Sequence, residues 1–99
     1  MRSFEVNDGA PGDFVGRVRS ALEERGLNDL VKVTAEDGEL VMRLRWMGSS
    51  VLRYQLSPTE GGFRADPAGE RISPFHAPFR QRFVERLDQV LDAVGATSV

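Results

Sequence analysis

The 99-residue chain contains no cysteine. A disulfide framework, a thiolate zinc site and a cysteine nucleophile are therefore excluded, and a reducing compartment is expected. Histidine occurs once, as His76, so no pair of imidazoles can share a metal. Neither a metal nor a cofactor is expected. Tryptophan and tyrosine also occur once each, as Trp46 and Tyr54, and Lys32 is the only lysine beside twelve arginines. No apolar run approaches the length of a signal-peptide core or a membrane span, and Met1 leads straight into charged residues, so a cytoplasmic protein with no membrane contact is expected. There is no glycine-rich phosphate loop, no His-Glu helix motif and no paired-carboxylate signature. Ser49 and Ser50 are expected in a turn and have no identifiable base, so the chain reads as a non-enzyme.

What is present is enough for one small domain with 40% hydrophobic residues. The formal charge is −2, which argues against a general nucleic-acid binder. The charge is unevenly spread. Residues 1–39 hold nine acids and five bases, whereas residues 40–71 hold three acids and five bases.

Phe4 and Val6 alternate with Ser3 and Glu5, which allows a short N-terminal edge strand. From about Asp13 to Arg25, Phe14 or Val15, Val18 and Leu22 recur at helical steps, with Gly26 as the stop. Gly16 inside that helix reads as a close packing contact. Residues 30–36 alternate as a strand, and Asp37-Gly38 is a two-residue hairpin turn pairing Val31 with Leu44, Val33 with Met42 and Ala35 with Leu40. A second hairpin at Gly48-Ser49-Ser50 is expected to place Trp46 opposite Leu52 and Leu44 opposite Tyr54. A loop from Ser57 to Gly62 leads to a fourth short strand, residues 63–66, with Leu56 opposite Phe63, and Pro67-Ala68-Gly69 ends the sheet. The last helix, Pro78 to Val94, carries Phe79, Phe83, Leu87, Val90, Leu91 and Val94 on its apolar stripe; Gly95 stops it before a frayed tail. The expected fold is therefore a two-layer α+β domain: a four-stranded antiparallel meander with an N-terminal and a C-terminal helix on one face, the face that includes Trp46 and Tyr54.

The other sheet face then carries Lys32, Thr34, Val41, Arg43, Arg45, Arg53, Gln55, Arg64 and Asp66, a local charge of +4 on an acidic protein. The expected registers put Lys32 opposite Arg43, Arg45 opposite Arg53, and Asp66 opposite Arg53. Like charges facing each other are unfavourable by about 0.2–1 kcal/mol per pair. Lys32, Arg43, Arg45, Arg53 and Arg64 are thus the candidate binding residues for an acidic protein partner, or for the chain's own acidic N-terminal region in a homodimer. The competing explanation is a solvated sheet face whose arginine stems lie over it. Nucleic acid is the alternative ligand, although no aromatic platform is expected on that face.

ISPFHAPF, residues 72–79, repeats Pro-Phe around His76. Phe75 and His76 are a candidate partner loop; alternatively Phe75 anchors the loop on the last helix as a hydrophobic staple. The order helix, strands, helix resembles the double-stranded-RNA-binding domain in outline. At the start of the last helix, where that family is lysine-rich, this chain reads HAPFRQRF, so RNA binding is not carried over. In size, acidity and layering the chain is also similar to small secretion chaperones. The reading that follows is a non-catalytic protein-interaction or regulatory module.

Overall fold

A computed structural model describes all 99 residues. Its elements are β1 (Phe4–Val6), α1 (Pro11–Glu24), β2 (Val31–Glu36), β3 (Glu39–Arg45), β4 (Ser49–Thr59), β5 (Gly62–Arg71), a 3₁₀ turn (Ala77–Phe79), α2 (Arg80–Ala93) and β6 (Thr97–Ser98). The fold is α+β, with two helices on one face of an antiparallel sheet. The β2–β5 meander is there, but the sheet has six strands in the order β2-β3-β4-β5-β1-β6. No helix is long and apolar enough to cross a membrane.

Local chemistry explains the ends of the helices. The Ala10 N–H donates to the Asp13 carboxylate at the start of α1, where a negative group also suits the helix dipole. Both helices stop at a glycine in the left-handed region, Gly26 and Gly95. In each case the next residue but one past the C-cap reaches back to the last turn: Leu27 N–H to Leu22 C=O, and Ala96 N–H to Leu91 C=O. These paired reversals cap carbonyls that the helix leaves open. Ala96 is buried by this turn, and the tail that follows is not frayed: it forms β6 and pairs with β1. As a result β1 lies between β5 and β6 rather than at the border of the sheet.

The β2–β3 hairpin has the expected register throughout. Asp37 and Gly38 both have positive φ, as a two-residue turn with the right twist requires. The next two hairpins differ. The β3–β4 turn is Trp46-Met47-Gly48, between Arg45 and Ser49, so Met42 faces Leu52 and Leu40 faces Tyr54. That is a slip of four positions along β3 from the expected pairing. An even slip leaves every side chain on its own face, so alternation alone cannot detect it. In β4–β5, a two-residue turn at Glu60-Gly61 sets Leu56 opposite Ala65 and Pro58 opposite Phe63. The chain does not leave the sheet at residues 67–69. Arg53 faces Gly69 and Tyr54 faces Pro67, so Ala68 is the extra residue of a bulge and β5 continues to Arg71.

One cluster of twenty buried residues joins the sheet's inner face to Phe14, Val15, Val18, Ala21 and Leu22 of α1 and Val84, Leu87, Val90 and Leu91 of α2. Tyr54 lies at its centre, edge-on to Phe4. Trp46 is not part of it: it is 51% exposed, because the turn comes two residues earlier than expected and includes Trp46, past the end of β3. Phe79 is also outside, at 53% exposure, since it precedes the first turn of α2, and Val84 takes the buried position instead. At Gly16 a Cβ would meet nothing within 4 Å, so the close packing expected there does not exist. Gly62 is the opposite case: a Cβ there would stand 1.8 Å from the Val6 carbonyl oxygen. The N-terminus is tied to α2 by Arg2, whose guanidinium bonds Asp92 at 2.6 Å and lies 4.0 Å from Asp88.

These glycines differ in the expected result of adding one methyl group. Gly16→Ala should stabilise the fold by about 0.5–1 kcal/mol through helix propensity. Gly62→Ala should destabilise it by about 1–3 kcal/mol by forcing β1 from β5. Chemical denaturation midpoints at equal slope check both.

The carboxylates give a pH test with two signs. Burial pushes the Asp88 carboxyl above its ordinary value, against the opposing pull of Arg2. The Arg80 guanidinium hydrogen-bonded to Glu70 holds that carboxyl below its ordinary value. A raised folded-state value weakens the fold as pH rises through it; a lowered one weakens the fold as pH falls through it. Asp88→Asn should therefore raise the melting temperature at pH 7 and lose that advantage near pH 3. Glu70→Gln should lower it at pH 7 and become neutral near pH 3.

Candidate functional site

The β3–β4 turn, the connector 72–79 and the start of α2 meet at one end of the sheet. Met47 takes φ 52° and Gly48 φ 137°, and the Trp46 N–H closes the turn on the Gly48 carbonyl at 3.0 Å. A Cβ on Gly48 would lie 2.5 Å from Ser73 Oγ, so the turn and the connector touch where only glycine fits. Ser73 and Ser50 continue the contact. The Ser73 N–H donates to Ser50 Oγ at 2.9 Å, and Ser50 Oγ lies 2.6 Å from His76 Nδ1. His76 Nε2 is hydrogen-bonded to the Trp46 carbonyl.

This chain of bonds fixes the ring's tautomer. A carbonyl only accepts, so Nε2 carries the hydrogen and Nδ1 of the neutral ring is the acceptor for the Ser50 hydroxyl. Ser50 and His76 are 1% and 4% exposed, and each polar atom has its partner. The Trp46 indole lies parallel to the imidazole, 6.3 Å between centroids and 12° between planes. His76 thus holds Trp46 by its backbone and supports its ring.

Ser50 and His76 are 26 residues apart, and no local pattern joins them; the long-range register alone does. Together they make a serine–histidine pair of the kind that activates a nucleophile. Here Ser50 Oγ is sealed under the connector, and the ring's other nitrogen faces a neutral carbonyl in place of a carboxylate. The arrangement acts as a buried polar clasp. No group of three or more His, Asp and Glu side chains converges as a metal site.

Outside the clasp lies a cleft of about 250 Å³ lined by Leu44, Trp46, His76, Phe79 and Phe83, with Arg82 and Arg86 at its rim. Met47 and Phe75 stand exposed beside it. Phe75, at 63% exposure, does not anchor the loop; His76 does, from inside. Arg82 and Arg86 are exposed and are in none of the ion pairs of the molecule; Arg45, also exposed and unpaired, projects from the outer face of the sheet at the same end. At the opposite end, another cleft of about 360 Å³ runs beside the Glu36-Asp37-Gly38-Glu39 turn and is floored by Leu56 and Phe63.

The sheet's outer face carries the sequence-derived candidates, and most of them are paired. Lys32 faces Arg43, as expected. Arg53 faces Val41 and Gly69, Arg45 faces Ser49, and Asp66 faces Gln55, so the expected Arg45–Arg53 and Arg53–Asp66 neighbours do not occur. Arg43 reaches Glu36 at 2.9 Å and Arg53 reaches Glu39 at 3.2 Å. Arg64 bonds Asp66 at 3.1 Å and lies 3.7 Å from Glu5. Lys32 donates to the Asn28 carbonyl at 2.7 Å. Between Arg43 and Arg53 along this face, Val41 is completely buried. The arginine stems therefore roof an apolar residue while their heads are neutralised. By strand alternation the face holds six bases (Lys32, Arg43, Arg45, Arg53, Arg64, Arg71) and four acids (Glu5, Glu36, Glu39, Asp66), so its charge is +2 rather than +4. Arg45 alone among the five candidates has neither an acidic partner nor a hydrogen bond to the chain, and it borders the cleft end.

Comparison with protein-family models, curated proteins and solved structures finds no significant match.

Replacing Ser50 by Ala leaves both the Ser73 N–H and His76 Nδ1 buried without partners. A loss of about 1–3 kcal/mol is expected, together with a shift in the emission of the sole tryptophan as Trp46 is released. Chemical denaturation and fluorescence read the two effects on the same sample.

Proposed function

We propose that the protein is a small non-catalytic interaction module that binds an acidic segment of a protein partner. The observation that carries this reading is the cleft end: exposed aromatic and apolar side chains beside Arg82 and Arg86, which have no acid of their own. Arg45 is the one unpaired base of the outer face at that end; Lys32, Arg43, Arg53 and Arg64 are held in contacts within the chain, which leaves Arg82 and Arg86 to meet the carboxylates. An occupant with Leu or Phe flanked by Asp and Glu matches this surface, the apolar side chain entering between Trp46 and Phe79 and the carboxylates meeting Arg82 and Arg86. Aromatic and arginine side chains together are the usual anchors of an interface, and arginine suits the planar carboxylate. The preformed clasp lowers the ordering cost of binding.

Nucleic acid is the second reading, because exposed Trp46, Phe75 and Phe79 next to arginines also suit stacked bases. The net charge of −2 weighs against it.

Trp46 is a built-in reporter. Titration with a synthetic acidic peptide bearing Leu and Phe should change its emission, and Arg82→Glu with Arg86→Glu should weaken binding by roughly tenfold, about 1.4 kcal/mol. A single-stranded oligonucleotide run in parallel should give no response. Binding of the oligonucleotide with a steep loss on added salt, and none of the peptide, would replace this reading with the nucleic-acid one.

A further inference from the structure

We propose that the chain forms a two-fold homodimer by antiparallel pairing of β2 with β2 of a second copy, with Thr34 opposite Thr34 and Lys32 opposite the second copy's Glu36. This surface is separate from the cleft and does not rest on the proposed function.

β2 lies at the border of the sheet, with β3 on one side only. The direction of its backbone groups follows from the observed bonds. Glu36 and Glu39 flank the two-residue turn, so Lys32, Thr34 and Glu36 direct their N–H and C=O groups to β3. Val31, Val33 and Ala35 therefore point outward. Two outward groups have internal partners: the Val31 N–H donates to the Leu27 carbonyl at 3.0 Å, and the Val33 carbonyl accepts from Arg19 Nε at 3.1 Å. The Val33 N–H and both groups of Ala35 face outward with no strand beside them. A groove of about 440 Å³ follows this edge, between β2 and the Arg19–Leu22–Glu23 side of α1.

An open edge invites another strand, and side-chain charge selects which one. Two symmetric registers satisfy the outward groups. Centring on Val33 puts Lys32 opposite Thr34 and gains no charge contact. Centring on Thr34 puts Val33 opposite Ala35 and Lys32 opposite Glu36, and symmetry repeats that ion pair. These pairs fall at the non-hydrogen-bonded positions, where side chains approach most closely. Lys32 is exposed, with only a backbone carbonyl at its ammonium group. Glu36 gives one carboxylate oxygen to Arg43 and keeps the other free. In the dimer the Ala35 N–H of the second copy replaces Arg19 at the Val33 carbonyl. The two six-stranded sheets then join into one, with the Lys32–Glu36 pairs on the outer face.

Sedimentation equilibrium from about 1 μM to about 1 mM reads the association. The wild-type mass should rise from 11.0 kDa towards twice that value. Lys32→Glu should weaken the dimer roughly tenfold, since both ion pairs become like-charge pairs. Combining it with Glu36→Lys should restore affinity to within roughly threefold, because the same pairs re-form with charges exchanged. Ala35→Pro removes an outward N–H at an exposed edge position and should abolish pairing; circular dichroism confirms that each variant is folded. Arg82→Glu with Arg86→Glu should leave the dimer unchanged. A wild-type chain that stays monomeric, a double exchange as weak as Lys32→Glu alone, or a dimer lost on changing Arg82 and Arg86 would each overturn the proposal.

Discussion

The Ser50 hydroxyl is hydrogen-bonded to His76 Nδ1 where no solvent can take over, and the His76 Nε2–H donates a hydrogen bond to the Trp46 carbonyl. Leaving either buried group unpaired costs about 1–3 kcal/mol, so the three segments that meet there are held as one unit. Ser50 belongs to β4, Trp46 to the β3–β4 turn, and His76 to the connector that becomes α2. The clasp closes the core at that end and sets where α2 begins. It also keeps Trp46, Phe79 and Phe83 around an open cleft instead of letting them collapse together. It fixes Trp46, on the turn, against Phe79 and Phe83, which the 3₁₀ turn and α2 position.

Charge is organised around the same axis. The outer sheet face is close to self-satisfied, with Arg43, Arg53 and Arg64 each returned to an acid of the chain. Exposed ion pairs of this kind contribute little to stability, about 0–1 kcal/mol each; their effect here is to cover Val41 and to remove free charge from the centre of the sheet. What remains unpaired lies at the ends: Arg45 beside the β3–β4 turn with Arg82 and Arg86 on the first turns of α2, and Asp37 in the β2–β3 turn. The cleft and the β2 edge lie on different parts of the molecule, so the proposed partner and the proposed second copy would not compete for the same surface.

Much of this was legible in the sequence, for identifiable reasons. Asp37-Gly38 fixes both the turn and the register, since two consecutive residues with positive φ admit few alternatives. The helical stripes ending at Gly26 and Gly95 are equally direct. The β3–β4 register was not legible, because a slip by an even number of residues preserves every apolar partner's face. That slip moves Trp46 from the core to the surface and separates Arg45 from Arg53. The face charge was overread for a related reason: Glu36 and Glu39 flank a turn, yet they still project onto the same face and neutralise their neighbours. The Ser50–His76 bond left no local trace at all. It joins residues that only the completed sheet brings together, and β5 has to run through Pro67-Ala68-Gly69 on a bulge to deliver the connector to it.

The state of the His76 ring tests this account most directly. Long-range proton–nitrogen NMR correlations of the single imidazole at neutral pH should show Nε2 carrying the hydrogen and Nδ1 as a bare acceptor, with a slowly exchanging Nε2 proton held by the Trp46 carbonyl. An Nδ1–H tautomer, or a ring averaging between tautomers in contact with water, would contradict the clasp and with it the preformed cleft.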